Sequence, residues 1–330
     1  MSGAQTYQQT YHITSSHNKT FRSDLQLKTR RARDSLSMLT VEGYGELRSV
    51  LNSGVSVNSV ERVYLCPDYL KNSEESLLAR FNETTIFQIP PRLMNKISYR
   101  QHPDAWLAVI RWNPLPLQEL PIHEPGEELG EKLGARGLYL ITEDLEKPGN
   151  VGALLRSADG AGARALIVAR TASRETAKQE TANPRAASRT RTDPRAASRT
   201  GTNPRAASAA GTDLRNPNVV RASKGALFSF PCAEADNRHI LQWLEKHNIP
   251  VVIADPSGRE NLWSAPLPST LALILGSENR GLSQFWKSAA DMHISIPMFG
   301  NMDSLNVAQA GTLIMYELLR RRTPHDSIFR

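Results

Sequence analysis

The chain has 330 residues, 40% of them hydrophobic, and a formal net charge of +7. That length suggests two domains with real cores, and no apolar run approaches the roughly 20 residues that span a bilayer, so no membrane partner is expected. Met1–Tyr7 lacks a basic stretch followed by an apolar one, and Cys66 and Cys232 lie far apart without a CxxC, which argues against a secretion signal, a disulfide framework or a metal site and for a reducing, cytoplasmic setting. The charge is uneven: residues 164–222 carry twelve lysines and arginines against four acids, so the remainder is close to neutral and the high pI alone does not identify a nucleic-acid binder.

Residues 1–16 are polar and read as a disordered start. A basic cluster runs from Lys19 and Arg22 through Lys28, Arg30, Arg31 and Arg33, with helical character over Ser23–Ser37. Leu39–Gly43 precedes a helix containing Leu47, Val50 and Leu51, and Val60–Cys66, Thr85–Ile89 and Trp106–Ile110 read as strands. These make a small mixed α/β domain over 17–112. Residues 113–131, with Pro114, Pro116, Pro121, Pro125 and several glutamates, read as a linker.

From residue 132 to 322 short apolar strands alternate with helices. Leu138–Ile141, Leu166–Val168, Val251–Ala254, Leu271–Leu275 and Ile294–Ile296 look like buried parallel strands; Ile240, Leu241, Trp243 and Leu244, and then Leu305–Leu319, look helical. The fold class is therefore α/β with a parallel sheet covered by helices. A ten-residue unit, Asn183–Thr192, recurs at Asp193–Thr202 and Asn203–Thr212. One proline per period and no large apolar residue give it nothing to bury, so 172–212 reads as a disordered basic insert; a tether for RNA phosphates is the alternative.

Three segments carry candidate chemistry. Glu143–Asp159 runs from a strand end through Pro148-Gly149 into a helix, with Asn150 suited to cap it and Arg156 beside the apolar face of Val151, Leu154, Leu155 and Ala158. Leu275–Ser283 ends a strand in Gly276, where backbone or ligand approaches closely, and places Glu278 at a strand's carboxyl end. Ile296–Ala308 leads from a strand through Met298 into a helix whose first turn is expected to hold Ser304 and Asn306. Each alone is an ordinary cap or turn.

In this order the three segments resemble the motifs of the SpoU/TrmH family of RNA ribose methyltransferases, in the SPOUT superfamily, and Asn216–Phe228 resembles the family's segment after its second strand. Lys28–Arg33, Val41–Gly43 and Ile97–Arg100 resemble the ribosomal-protein-L30e-like substrate-binding module. The resemblance implies a parallel sheet with a C-terminal trefoil knot, a homodimer with the active site near its interface, and S-adenosyl-L-methionine as cofactor. It implies cofactor contacts at Leu275, Gly276, Ile296, Met298, Ser304 and Leu305, and active-site roles for Asn150, Arg156, Glu278, Ser304 and Asn306. Asn150 and Glu278 would orient Arg156; Lys28, Arg30, Arg31, Arg33 and Arg221 would meet RNA. The substrate implied is 23S rRNA, with a tRNA enzyme or a non-catalytic RNA-binding protein of the same fold as alternatives. A Rossmann-type nucleotide enzyme is disfavoured, because Gly149-Asn150-Val151-Gly152 is not GxGxxG and no acid follows the second strand at Val168–Thr171.

Overall fold

The computed structural model describes residues 10–53, 59–81, 84–122, 137–170 and 211–322. The chain divides into two units, one comprising the residues up to Asn113 with Asp213–Ser229, the other Pro114–Thr212 with Phe230 onward.

The first unit holds strands β1 (Thr10–His12), β2 (Met38–Glu42), β3 (Val60–Leu65), β4 (Thr85–Gln88) and β5 (Trp106–Arg111) in the order β1-β4-β3-β5-β2. β1, β4 and β3 are parallel, and β5 runs antiparallel to β3 and β2. Phe21, Leu27, Met94, Leu107 and Val109 pack one core, where Asp24 accepts hydrogen bonds from Arg62 (2.7 Å) and the Tyr64 hydroxyl (2.6 Å). Such burial requires this pairing, because an unpartnered ion there is costly.

Four expectations change. The disordered start is corrected for residues 10–16: β1 pairs with β4, and Ile13 is buried; residues 1–9 lie outside the described residues. The helical stretch Ser23–Ser37 splits into Lys19–Leu25 and Arg30–Leu36, because Thr29 leaves the helical conformation to cap the second helix. Residues 213–229, expected within the catalytic domain, pack with the first unit: Asn216 caps the helix Pro217–Ser223, which lies on β2, and Arg215 donates to the carbonyl of Trp112 (3.0 Å). The linker is also corrected for residues 114–122. The Leu115 amide donates to the Cys232 carbonyl (2.7 Å), and Leu117 and Leu120 are buried in the second unit's core.

The second unit is a seven-stranded, all-parallel sheet in the order β10-β12-β9-β11-β6-β7-β8. Its strands are β6 (Leu138–Glu143), β7 (Ala165–Arg170), β8 (Cys232–Asp236), β9 (Val251–Ala254), β10 (Glu260–Asn261), β11 (Leu271–Leu275) and β12 (Met292–Ser295). β6, β7 and β11 are apolar throughout their centres because both faces are covered. On one face lie the helices Asn237–Lys246 and Gln284–Ala289, burying Trp243, Phe285 and Trp286. The helices Pro148–Gly160 and Val307–Arg322 pack against each other, close enough that a Cβ on Gly311 would lie 2.5 Å from Leu154 Cδ2 and 2.7 Å from Leu275 Cδ1. Of the expected insert 172–212, residues 172–210 lie outside the described residues. Thr212 is held in the fold, its amide donating to the Leu145 carbonyl (2.8 Å).

Candidate active site

β11 sits between β6 and β9, so sequence-distant strands are neighbours at the centre of the sheet. Open α/β sheets leave a crevice beyond the carboxyl ends of such strands. Here a cavity of about 470 Å³ opens there, within the usual range for small-molecule sites. Leu275 and Gly276 line it from β11, Ala254 and Asp255 from β9, and Ile294, Ile296 and Met298 from β12 and its following loop. Ser304, Leu305 and Asn306 close it. The structure thus brings together all six residues expected to touch the cofactor.

Gly276 is required by close approach of the chain to itself. A Cβ there would stand 2.4 Å from the carbonyl carbon of Gly281 and 2.5 Å from its oxygen. The loop between them is clamped by mutual backbone bonds, Ser277 N–H to Gly281 O (3.1 Å) and Gly281 N–H to Ser277 O (2.9 Å), and Gly281 has a φ of +66°. The clamp presents Glu278 and Asn279. Glu278 accepts from Asn150 Nδ2 and from the Glu146 amide (3.4 Å), while Asn279 donates to Glu146 Oε2 (2.8 Å). Asn306 Nδ2 donates to Asn150 Oδ1 (3.3 Å), and Asn306 Oδ1 accepts from the Ala308 amide (2.9 Å). One polar chain therefore ties the three motif segments together.

This network corrects several assigned roles. Asn150 does not cap its helix; the helix begins at Pro148, and the amide of Asn150 bridges Glu278 and Asn306. Ser304 and Asn306 precede the helix Val307–Arg322 rather than sit in its first turn, and the capping contact belongs to Asn306. The side chain of Arg156 is exposed, has no hydrogen bond or ion pair among the described residues and does not line the cavity, so Asn150 and Glu278 do not orient it within this chain. The reason is helical geometry: six residues place Arg156 about 9 Å beyond Asn150 and about 120° around the axis.

Two carboxylates had not been singled out. Glu143, at the end of β6, is buried and accepts from Asn237 Nδ2 (2.8 Å), Ser283 N–H (2.8 Å) and Ser283 Oγ (2.7 Å), anchoring the exit of the Glu278 loop. Burial raises its pKa above the ordinary carboxylate value against those hydrogen bonds. Burial likewise opposes ionisation of Asp255, but hydrogen bonds from Ser257 and the Lys287 ammonium (3.0 Å) prevail and bring its pKa to about 2. Both acids stand at or just past strand ends, the signal by which the sequence could have shown them.

The basic residues assigned to RNA separate in the first unit. Arg33 is a correction: it is 3% exposed and forms a two-pronged ion pair with Asp213 (2.7 and 3.1 Å), so it cannot reach a phosphate. Lys28 donates to the carbonyls of Lys96 (2.8 Å) and Ser98 (2.7 Å), and Arg30 lies 3.6 Å from Asp34. Arg31 and Arg221 are exposed and without a partner among the described residues.

Two family profiles match the chain. Residues 18–108 match the MRM3-like substrate binding domain, and residues 194–316 match the SpoU rRNA Methylase family. The chain carries a SpoU methylase domain and an MRM3-like substrate-binding domain. The SpoU match contains Glu278, Ser304, Asn306 and the strands β8–β12; the segment with Asn150 and Arg156 lies ahead of it, joined to it by the polar network. The chain is similar to a 23S rRNA (uridine(2479)-2'-O)-methyltransferase of Streptomyces viridochromogenes, 27% identical over 252 residues, covering 74% of this chain and 70% of that protein. It is similar to a solved RNA 2'-O ribose methyltransferase, with 29% identity, a TM-score of 0.65 and coverage of 94% and 99%. The SpoU methyltransferase AviRb of Streptomyces viridochromogenes, solved in complex with the cofactor AdoMet, shares the fold at 24% identity, with a TM-score of 0.71 and coverage of 93% and 98%.

Proposed function

We propose that this chain transfers a methyl group from S-adenosyl-L-methionine to a ribose 2′-hydroxyl of 23S rRNA. The observation that carries the reading is the cavity at the strand carboxyl ends, lined by Leu275, Gly276, Ile296, Met298 and Leu305 and bordered by the Asn150–Glu278–Asn306 network. Its volume and apolar walls suit a nucleoside-sized ligand, and we assign the backbone around Leu275 and Ile296, which line it, to hold the base. The cofactor supplies an activated methyl group on sulfur; the protein's task is to hold the ribose oxygen in line with it. The network holds the three loops in register around that point.

Arg156 is a poor general base, since a guanidinium holds its proton too tightly to exchange it in the working pH range. We assign it to stabilise the developing negative charge on the 2′-oxygen and to hold a flanking phosphate. Because it stands outside its own chain's cavity, this role fits a homodimer, and the apolar exposure of Phe299 (96%), Met302 (71%) and Tyr316 (47%) supports a covered face in that region. The family's trefoil knot is part of the same reading; the close passage of Gly258 against the Ile294 backbone, where a Cβ would lie 2.6 Å away, supports tight packing of sequence-distant segments at this end of the sheet. The first unit, the residues up to Asn113 with Asp213–Ser229, acts as the RNA-recognition domain, the second unit supplies the catalytic domain, and the setting is cytoplasmic. Substituting Arg156 with Ala is expected to leave cofactor binding intact and to abolish methyl transfer; unchanged turnover overturns the assignment. A pH–rate profile of Arg156→Lys separates the roles: a base role introduces a new limb near the lysine pKa, and an electrostatic role lowers the rate without moving the profile.

A further inference from the structure

Four charged side chains line the cavity: Lys147, Asp255, Glu278 and Asp303. Two are already committed inside the fold, Asp255 to Ser257 and Lys287, and Glu278 to Asn150 and the Glu146 amide. Lys147 and Asp303 are exposed, and their side chains have no hydrogen bond or ion pair among the described residues. They have opposite signs and come from different elements, Lys147 from the loop after β6 and Asp303 from the loop after β12. The same cavity is lined by the apolar side chains of Leu275, Ile296, Met298 and Leu305.

A cavity with apolar walls and one free charge of each sign fits a ligand with an apolar body and a zwitterionic head. We propose that Lys147 binds the α-carboxylate and Asp303 the α-ammonium of the amino-acid end of the cofactor. The proposal rests on S-adenosyl-L-methionine being the ligand of this cavity. An RNA phosphate is a poorer match for Lys147, because it would enter a lining with three acids and one base.

Calorimetric titration of the full chain with two ligands tests this. S-adenosyl-L-homocysteine carries the zwitterionic end; 5′-methylthioadenosine keeps the nucleoside and thioether but lacks it. Lys147→Met and Asp303→Asn are each expected to weaken S-adenosyl-L-homocysteine about tenfold, the scale of one charge-assisted hydrogen bond, and to leave 5′-methylthioadenosine within about twofold. The loss should shrink as salt is raised, since both groups are solvent-accessible. Equal weakening of both ligands means general damage to the pocket and overturns the proposal. Unchanged S-adenosyl-L-homocysteine binding with a raised KM for RNA moves Lys147 to the RNA side and also overturns it. Failure of the unsubstituted protein to bind either ligand refutes the cofactor reading itself, an outcome distinct from these two.

Discussion

Replacing Asp213 with Ala leaves the Arg33 guanidinium buried without its counter-charge. The side chains of this pair are 4% and 3% exposed, and Arg33 also donates to the carbonyls of Leu27 (3.0 Å) and Lys28 (3.2 Å). Burial alone works against the charge of Arg33, and Asp213 reverses that, holding its pKa above the ordinary value. Removing one partner of such a pair costs about 3–5 kcal/mol, a large part of the roughly 5–15 kcal/mol that stabilises a domain. Hydrogen exchange read on peptides from β2 and β5 isolates the first unit from the second. Protection of those amides should fall by roughly two to three and a half powers of ten if they exchange by unfolding of that unit. The double variant Arg33→Met with Asp213→Leu should recover most of the loss, because apolar replacement of a whole buried pair is often close to neutral. A loss below about 1 kcal/mol in Asp213→Ala refutes the reasoning. So does an Arg33→Met variant with native protection whose RNA affinity depends less steeply on salt by about one counterion, since that is how a phosphate contact behaves.

Three further outcomes follow from the second unit. Gly276→Ala must push backbone atoms now 2.4–2.5 Å from the new Cβ; it should cost about 1–3 kcal/mol by denaturant titration and weaken S-adenosyl-L-homocysteine binding, and native affinity contradicts the close passage. Asn306→Ala removes both a helix cap and the bond to Asn150, so it should lose about 1 kcal/mol and lower kcat more than it changes cofactor affinity; an unaltered kcat removes the network from the mechanism. Asp255 has a folded pKa of about 2 against an ordinary 3.8, so its ionised form stabilises the fold. The stability difference between the unsubstituted protein and Asp255→Asn should be full above pH 3.8 and close as the pH falls toward about 2; a difference that grows on acidification has the wrong sign.

Much of the second unit was legible because its central strands are continuous apolar runs of the kind a doubly covered parallel sheet produces, and of the six expected cavity residues Leu275 and Gly276 end one strand, Ile296 and Met298 follow another, and Ser304 and Leu305 precede the last helix. β8 escaped notice because Cys232-Ala233-Glu234-Ala235-Asp236 lacks β-branched and aromatic residues; its place beside β7 comes from tertiary pairing. Leu117 and Leu120 were hidden by the surrounding prolines, which suggested a spacer where the chain packs into a core. Arg33 sits in a basic run that looks like a solvated RNA face, and its burial depends on Asp213, 180 residues away. The same distance problem concealed Glu146 and Asn279, whose role in the site exists only once β6 and β11 are adjacent.

The most direct measurement is to incubate the purified chain with S-adenosyl-L-methionine labelled in its methyl group and unmodified 23S rRNA, digest the RNA to nucleosides and identify the labelled product. The account predicts label in a single 2′-O-methylnucleoside, absent with Arg156→Ala. Label on a base, or none from protein that binds the cofactor, contradicts it.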